Sequence, residues 1–324
     1  MFCLKRGHRI LATGGSALQP RLLRRSSSTS IGGIETVELV YNKEINRKEA
    51  GKKTAGAKKT PLVVLHGLFG SKQNWGGITR RLAQELERDV YAVDQRNHGE
   101  SRHLGPHTYQ AMAADLVRFI EDHRLGSPVL MGHSMGGKVV MRTALERPDL
   151  VSRLIVVDMV PAAATLHHNF QGYVECLKDI EKKNLSVQAE MDKILATIEP
   201  SLEIRQFLLT NMKKTTDPGN PESRGVYRSR IPLDLVGSSL GSMMQWDTTA
   251  HSAGVAESER PVYNGPTLFI AGTQSPYVKP DAYPEMRRLF PNHEIAELNT
   301  GHWVHAEKPR QFMDLVVKFI QESN

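Results

Sequence analysis

The chain holds 2 cysteines in 324 residues, Cys3 and Cys176, too few and too far apart for the disulfide framework of a small secreted domain. If Cys3 is removed with a leader, a single thiol remains, and its amphipathic surroundings mark Cys176 as packing. No run reaches the roughly 18 uncharged apolar residues that a membrane-spanning helix needs. The longest candidate, Leu154 to Leu166, is broken by Asp158 and Pro161. The first 34 residues contain no acid, and no internal repeat is visible.

The missing acids explain most of the charge. The formal net charge is +7, and Lys5, Arg6, Arg9, Arg21, Arg24 and Arg25 all precede the first acid, Glu35, leaving about +1 for the rest. A nearly neutral domain gives no electrostatic reason to expect nucleic-acid binding. The same segment mixes Arg with Leu, runs into Ser26 to Ser30, and has no uninterrupted apolar core of the secretory kind. That composition predicts a mitochondrial transit peptide over residues 1–34 and a mitochondrial location.

From residue 35 to 322 the pattern is one of short strands and helices in alternation. Glu35 to Tyr41 reads as an edge strand and Asn42 to Thr60 as a solvated connection. Pro61 to Leu65 is wholly apolar, as in strands buried on both faces. Strands follow at Asp89–Asp94, Pro128–Gly132 and Arg153–Asp158, with helices at Trp75–Leu86, Tyr109–His123 and Gly136–Arg147 between them. Such alternation predicts an α/β fold, a mostly parallel central sheet with helices on both faces. From about 161 to 265 the strand signal disappears and the segment reads as helices alone. Strands at Thr267–Ala271 and His293–Leu298 and helices at Pro284–Phe290 and Arg310–Glu322 then complete the domain. The segment 161–265 is therefore expected to be a helical lid inserted over the carboxyl ends of the strands, where ligands bind in open α/β sheets.

Gly132-His133-Ser134-Met135-Gly136 matches G-x-S-x-G between a strand and a helix. A sharp turn there holds the serine in a strained conformation, and a Cβ at Gly132 or Gly136 would strike neighbouring backbone. Ser134 is thus the candidate nucleophile. The start of the following helix offers the Met135 N–H to an oxyanion, and the Leu68 N–H of His66-Gly67-Leu68-Phe69-Gly70 is the second candidate donor. A serine needs a base. Of 13 histidines, His302 follows the last strand and is the candidate. His305 reads as a structural neighbour, His66 and His133 as fixed hydrogen-bonding groups, and His98 as part of a turn.

HGLFGS, VDQRNHGES, GHSMGG and GHWVHAEKP stand in this order, and together they resemble the α/β-hydrolase superfamily. DQRNHGES and GHSMGGK look more narrowly like its mitochondrial abhydrolase-domain subfamily of animals and fungi, to which bacterial short-acyl esterases and yeast ethanol acetyltransferases are similar. The resemblance implies ester or thioester chemistry on small acyl groups, without cofactor or metal. Haloalkane dehalogenases and epoxide hydrolases carry an aspartate where Ser134 stands, so their chemistry is set aside.

The third triad member departs from the commonest superfamily pattern. No carboxylate occurs in Gly272 to Tyr277, where that pattern places an Asp, and Ser275 cannot carry the charge. Asp158 ends the strand beside the nucleophile strand and could reach the His302 loop. The subfamily resemblance points to the same place. Asp94, Asp247 and Asp281 are the rivals. The leading expectation is a carboxylic ester hydrolase with an acyl-Ser134 intermediate, acting on a small acyl ester or acyl-CoA. The alternative is an alcohol O-acetyltransferase making ethyl acetate from acetyl-CoA and ethanol, with the same triad. A catalytically silent interaction protein on the same scaffold is the third reading.

Overall fold

Strands with apolar residues at consecutive positions must be covered on both sides, and each side takes alternate residues. In the computed structural model, which describes residues 30–45, 59–163, 169–215, 225–246 and 261–322, the strand β4 (Leu62–Leu65) shows this directly. Leu62 and Val64 join one buried cluster, while Val63 and Leu65 join the other. The first cluster lies against α1 (Gly76–Leu86) and α10 (Pro309–Glu322), through Leu82, Leu86, Phe312 and Val316. The second lies against α2 (Tyr109–Asp122) and α3 (Met135–Glu146), through Met112, Leu116, Val139 and Val140. Each fully buried side chain of this kind stabilises the fold by roughly 1.5–3 kcal/mol, which is why the pattern reads so plainly in the sequence.

The central sheet has seven strands. Besides β4 they are β3 (Tyr41–Glu44), β5 (Val90–Val93), β6 (Val129–His133), β7 (Arg153–Val157), β10 (Thr267–Gly272) and β11 (His293–Leu298). Their order is β11-β10-β7-β6-β4-β5-β3. All pair in parallel except β3, which pairs antiparallel with β5 at the edge. The edge strand differs from its expected position. It occupies Tyr41–Glu44 rather than Glu35–Tyr41, because Tyr41 to Glu44 pair with Val93 to Val90. Val37 and Leu39, which suggested a strand, are instead buried in the core without ladder partners of their own. A short antiparallel pair, β1 (Ser30–Ile31) with β2 (Ile34–Glu35), precedes them and straddles the boundary expected near residue 34. Residues 1–29 lie outside the described residues.

The insertion carries α4 (Phe170–Lys182), α5 (Gln188–Leu195), α6 (Leu202–Leu209) and α7 (Leu233–Met244). It is not helical throughout. A two-stranded antiparallel hairpin, β8 (Met212–Thr215) and β9 (Val226–Ser229), interrupts it. Its strands read MKKT and VYRS, with Lys213, Lys214 and Thr215 exposed. A surface hairpin held by its own ladder needs no apolar run, so the pattern that revealed the core strands was absent here. Among the described residues no helix is long and apolar enough to cross a membrane. The remaining helices are α8 (Tyr283–Leu289) and the short α9 (Val304–Glu307), which follows the loop bearing His302.

Candidate active site

The turn from β6 into α3 is as tight as its glycines suggest. A Cβ on Gly132 would lie 2.2 Å from the Gly136 carbonyl oxygen, and one on Gly136 2.7 Å from that of His66. Between them Ser134 takes φ 54° and ψ −116°, a region that non-glycine residues avoid unless their surroundings enforce it. The Ser134 N–H donates to the Val157 carbonyl at 3.1 Å, tying the turn to the neighbouring strand. Met135 opens α3, and its N–H, like others in a first helical turn, has no carbonyl one turn back to bond.

The loop after β4 crosses this turn closely. A Cβ on Gly67 would lie 2.9 Å from His133 Nδ1 and 3.2 Å from Ser134 Cβ. Gly67 to Gly70 form a turn closed by the Gly70 N–H on the Gly67 carbonyl at 3.0 Å, with Phe69 at φ 60°. Leu68, the candidate second donor, sits inside it. His98 Nε2 accepts the Phe69 N–H at 3.2 Å, while its Nδ1–H donates to the Arg96 carbonyl at 3.1 Å. His98 is thus more than part of its own turn: it holds the loop over the nucleophile. Burial keeps it neutral, well below the usual histidine range, as an acceptor nitrogen requires.

Strand order brings the other residues in. Since β10 lies beside β7, Asp158 at the end of β7 meets the loop after β10, and its Oδ1 accepts the Gly272 N–H at 2.9 Å. Its Oδ2 accepts from the Ser275 hydroxyl and from His302 Nδ1, the latter at 2.6 Å. Asp158 is fully buried and adopts φ 50°. Burial pushes its carboxyl up, to about 6, against the opposing pull of the Ser275 and Gly272 donors. The rivals go elsewhere. Asp94 accepts from the Lys72 N–H, the Glu100 N–H and the Lys72 ammonium at 2.7, 2.9 and 2.5 Å, bracing the turn after β5. Asp281 is exposed, and Asp247 lies outside the described residues.

The remaining histidines have fixed duties. His66 Nε2 accepts the Gln95 N–H at 3.0 Å while Nδ1–H donates to the Gly67 carbonyl at 2.8 Å. His133 Nε2–H donates to the His302 carbonyl at 2.9 Å, fixing the backbone of that loop. His305 stacks on Trp75, with centroids 4.2 Å apart. Cys176 packs half-buried against the core, and burial raises its thiol.

Ser134 and His302 open into one cavity, which with the solvent at its mouth spans about 510 Å³. Its floor is the Gly67–Gly70 turn and Trp75, and its walls come from the insertion: Phe170 and Tyr173 of α4, and Ile204, Phe207 and Leu208 of α6. The insertion therefore covers the carboxyl ends of the strands and lines the cavity with apolar side chains. A serine on a strained turn, an imidazole held by a buried carboxylate, and N–H groups beside them can carry out nucleophilic acyl transfer. Among the described residues no three His, Cys, Asp or Glu side chains gather as a metal site would require.

Residues 60–309 match the family described as alpha/beta hydrolase fold. The chain belongs to the α/β-hydrolase fold family. It is 40% identical over 264 residues to the sn-1-specific diacylglycerol lipase ABHD11 of Mus musculus, covering 80% of each chain. It is 36% identical over 276 residues to a probable alcohol acetyltransferase of Saccharomyces cerevisiae, covering 82% of this chain and 78% of that one. Among solved structures it resembles a marine microorganism esterase, with a TM-score of 0.74 and 30% identity over 88% of this chain and all of that one. These relatives agree with the animal and fungal abhydrolase-domain resemblance read from the motifs.

Sequence reasoning missed His98 as a support of the loop, Ser275 as a donor to the acid, and Asn211, which reaches that loop from the insertion. His98 and Ser275 stood in quoted motifs, but their partners are 29 and 117 residues away. No local pattern reports such a contact.

Proposed function

We propose that this α/β-hydrolase is a carboxylic ester hydrolase in which Ser134, His302 and Asp158 form the catalytic triad. The observation that carries the reading is the 2.6 Å bond from His302 Nδ1 to the buried Asp158 carboxylate, in the cavity that Ser134 also lines. With Nδ1–H given to Asp158, Nε2 is left as the base. Ser134 Oγ attacks the acyl carbonyl carbon as its proton passes to Nε2, and Asp158 stabilises the imidazolium. The carbonyl oxygen, now negative, is received by the Leu68 and Met135 N–H groups. Collapse breaks the bond to the leaving alcohol or thiol, which takes the proton from Nε2. Water then repeats the sequence on the acyl-serine, releasing acid and free Ser134.

The apolar walls from α4 and α6 favour an aliphatic acyl group. Candidate substrates are small acyl esters, acyl-CoA thioesters and, from the mouse lipase likeness, a diacylglycerol. The likeness to the yeast protein supports a second reading, in which an alcohol such as ethanol replaces water at the acyl-serine. Both readings use every residue named above and differ only in the acceptor. The basic, acid-free segment before Glu35 supports import into mitochondria. The deciding experiment offers purified protein acyl-CoA, diacylglycerol and simple esters of graded chain length, with and without ethanol, and quantifies acid and ethyl ester together. Acid as the main product supports the hydrolase. Ethyl ester dominating at modest ethanol overturns it in favour of the transferase.

A further inference from the structure

The insertion does more than wall the cavity, because one of its buried side chains reaches the loop that carries the Leu68 amide. Asn211 lies just past the end of α6 and is almost fully buried. Its Nδ2 donates to the Phe69 carbonyl at 2.8 Å and to the Leu208 carbonyl at 3.2 Å. Its own carbonyl accepts the Arg230 N–H at 2.7 Å, anchoring it at the base of the β8–β9 hairpin. One residue thus joins the hairpin, through its main-chain carbonyl, to the carboxyl end of the acyl-wall helix and the Gly67–Gly70 turn, through its side-chain amide.

Phe69 is where that turn needs holding. A positive φ at the third residue of a four-residue turn belongs to the type II geometry that glycine normally supplies; Phe69 has φ 60°. Rotating one peptide plane interconverts type II with type I; in this turn that plane carries the Leu68 carbonyl and the Phe69 N–H, while the Leu68 N–H belongs to the plane before it, so the Leu68 donor is placed by where the turn as a whole is held. His98 holds the Phe69 N–H from the sheet domain, and Asn211 holds the Phe69 carbonyl from the insertion. Both peptide groups of Phe69 are therefore clamped, each by a different part of the molecule.

We infer that Asn211 is a positioning residue through which a seated insertion sets the Leu68 donor of the oxyanion hole. The inference rests on the serine-hydrolase reading. With α6 seated along the cavity, Asn211 fixes the turn beneath it, so the acyl wall and the oxyanion donor are joined through one side chain. A second link between insertion and sheet domain, the Tyr109 hydroxyl to the Met243 carbonyl at 2.9 Å, touches neither this turn nor Asn211 and its partners. It serves as a control.

The test compares wild type, Asn211→Ala, Asn211→Asp and Tyr109→Phe on 4-nitrophenyl acetate. Active sites are counted by fluorophosphonate labelling of Ser134, so that only folded enzyme enters kcat. A short aliphatic trifluoromethyl ketone, whose adduct places an oxyanion in the hole, reports that hole directly. Asn211→Ala should lower kcat about tenfold and raise the ketone Ki by a similar factor, with KM within about twofold. Asn211→Asp puts an acceptor against the Phe69 carbonyl and should lose about 100-fold in both. The acid limb of the pH profile should stay in place, and Tyr109→Phe should leave the ketone Ki unchanged. If Asn211→Asp does not fold, Asn211→Ala carries the same comparison without an added charge. Wild-type kcat and Ki in the Asn211 variants, with Ser134 labelled, would overturn this inference alone. An unlabelled Ser134 in wild type would overturn the serine reading, and this inference with it.

Discussion

Replacing Asp158 by Asn separates what the carboxylate does for the reaction from what it does to the fold. Burial raises its folded value to about 6 from an ordinary 3.8, so the ionised form is disfavoured in the native protein. The sign follows: this carboxyl favours the fold fully below about pH 4, and that contribution is lost as pH rises through 6. At neutral pH the buried charge thus costs at most about 3 kcal/mol. An amide fits the same space. Its Oδ1 can accept the Gly272 N–H, and its Nδ2 can donate to the Ser275 hydroxyl and to His302 Nδ1. The fold should therefore be as stable as wild type at pH 7.5 or up to about 3 kcal/mol more so, several degrees in Tm. The advantage should shrink as pH falls from 6 to 4. Turnover should behave oppositely. An amide donating to Nδ1 forces the proton onto Nε2, where it cannot accept from Ser134, and kcat should drop by roughly 10²- to 10⁴-fold. Thermal melts across pH and ester hydrolysis rates measure the two effects on one preparation. Near-normal turnover would refute the role of Asp158. A large loss of stability at pH 7.5 would refute the account of its burial.

Ser134→Ala should remove nearly all turnover, on the order of 10⁴-fold or more, with an unchanged melt; one tenth of wild-type activity would mean that the nucleophile lies elsewhere. Wild-type kcat should fall as pH drops through about 6, because the Asp158–His302 pair then holds an extra proton; a profile flat to pH 5 would contradict this. Acid should also weaken the fold. His66, His98, His133 and His305 are buried and held below the usual histidine range, and burial lowers His107 to about 4. A base lowered in the folded state contributes stability that is present above its unfolded value of 6.5 and lost as pH falls toward 4, about 3 kcal/mol for His107 alone. The urea midpoint should therefore drop between pH 7.5 and 4.5, and a constant midpoint would refute the neutral buried histidines. Protein recovered from isolated mitochondria should begin between Arg25 and Glu35 by mass spectrometry. An intact Met1 on organelle-protected protein would contradict import with cleavage.

By itself the sequence determined what local chemistry can encode. Strands buried on both faces, such as Leu62–Leu65 and the Leu268 to Ala271 stretch of β10, take apolar residues at consecutive positions, so they announce themselves as runs. Gly132 and Gly136 are dictated by contacts of 2.2 and 2.7 Å a few residues or one strand away, and the G-x-S-x-G spacing records them. The edge strand and the β8–β9 hairpin escaped because their ladders are satisfied by partners rather than by burial, and polar residues serve there as well as apolar ones. What only the tertiary structure decided are the junctions. Strand order puts β10 beside β7, and that adjacency joins Asp158 to Gly272, Ser275 and His302 across 114 to 144 residues. The clamp on Phe69 draws His98 from 29 residues away and Asn211 from 142. A hydrogen bond constrains only the two groups that make it, and when they meet through the fold their spacing along the chain carries no trace of the meeting.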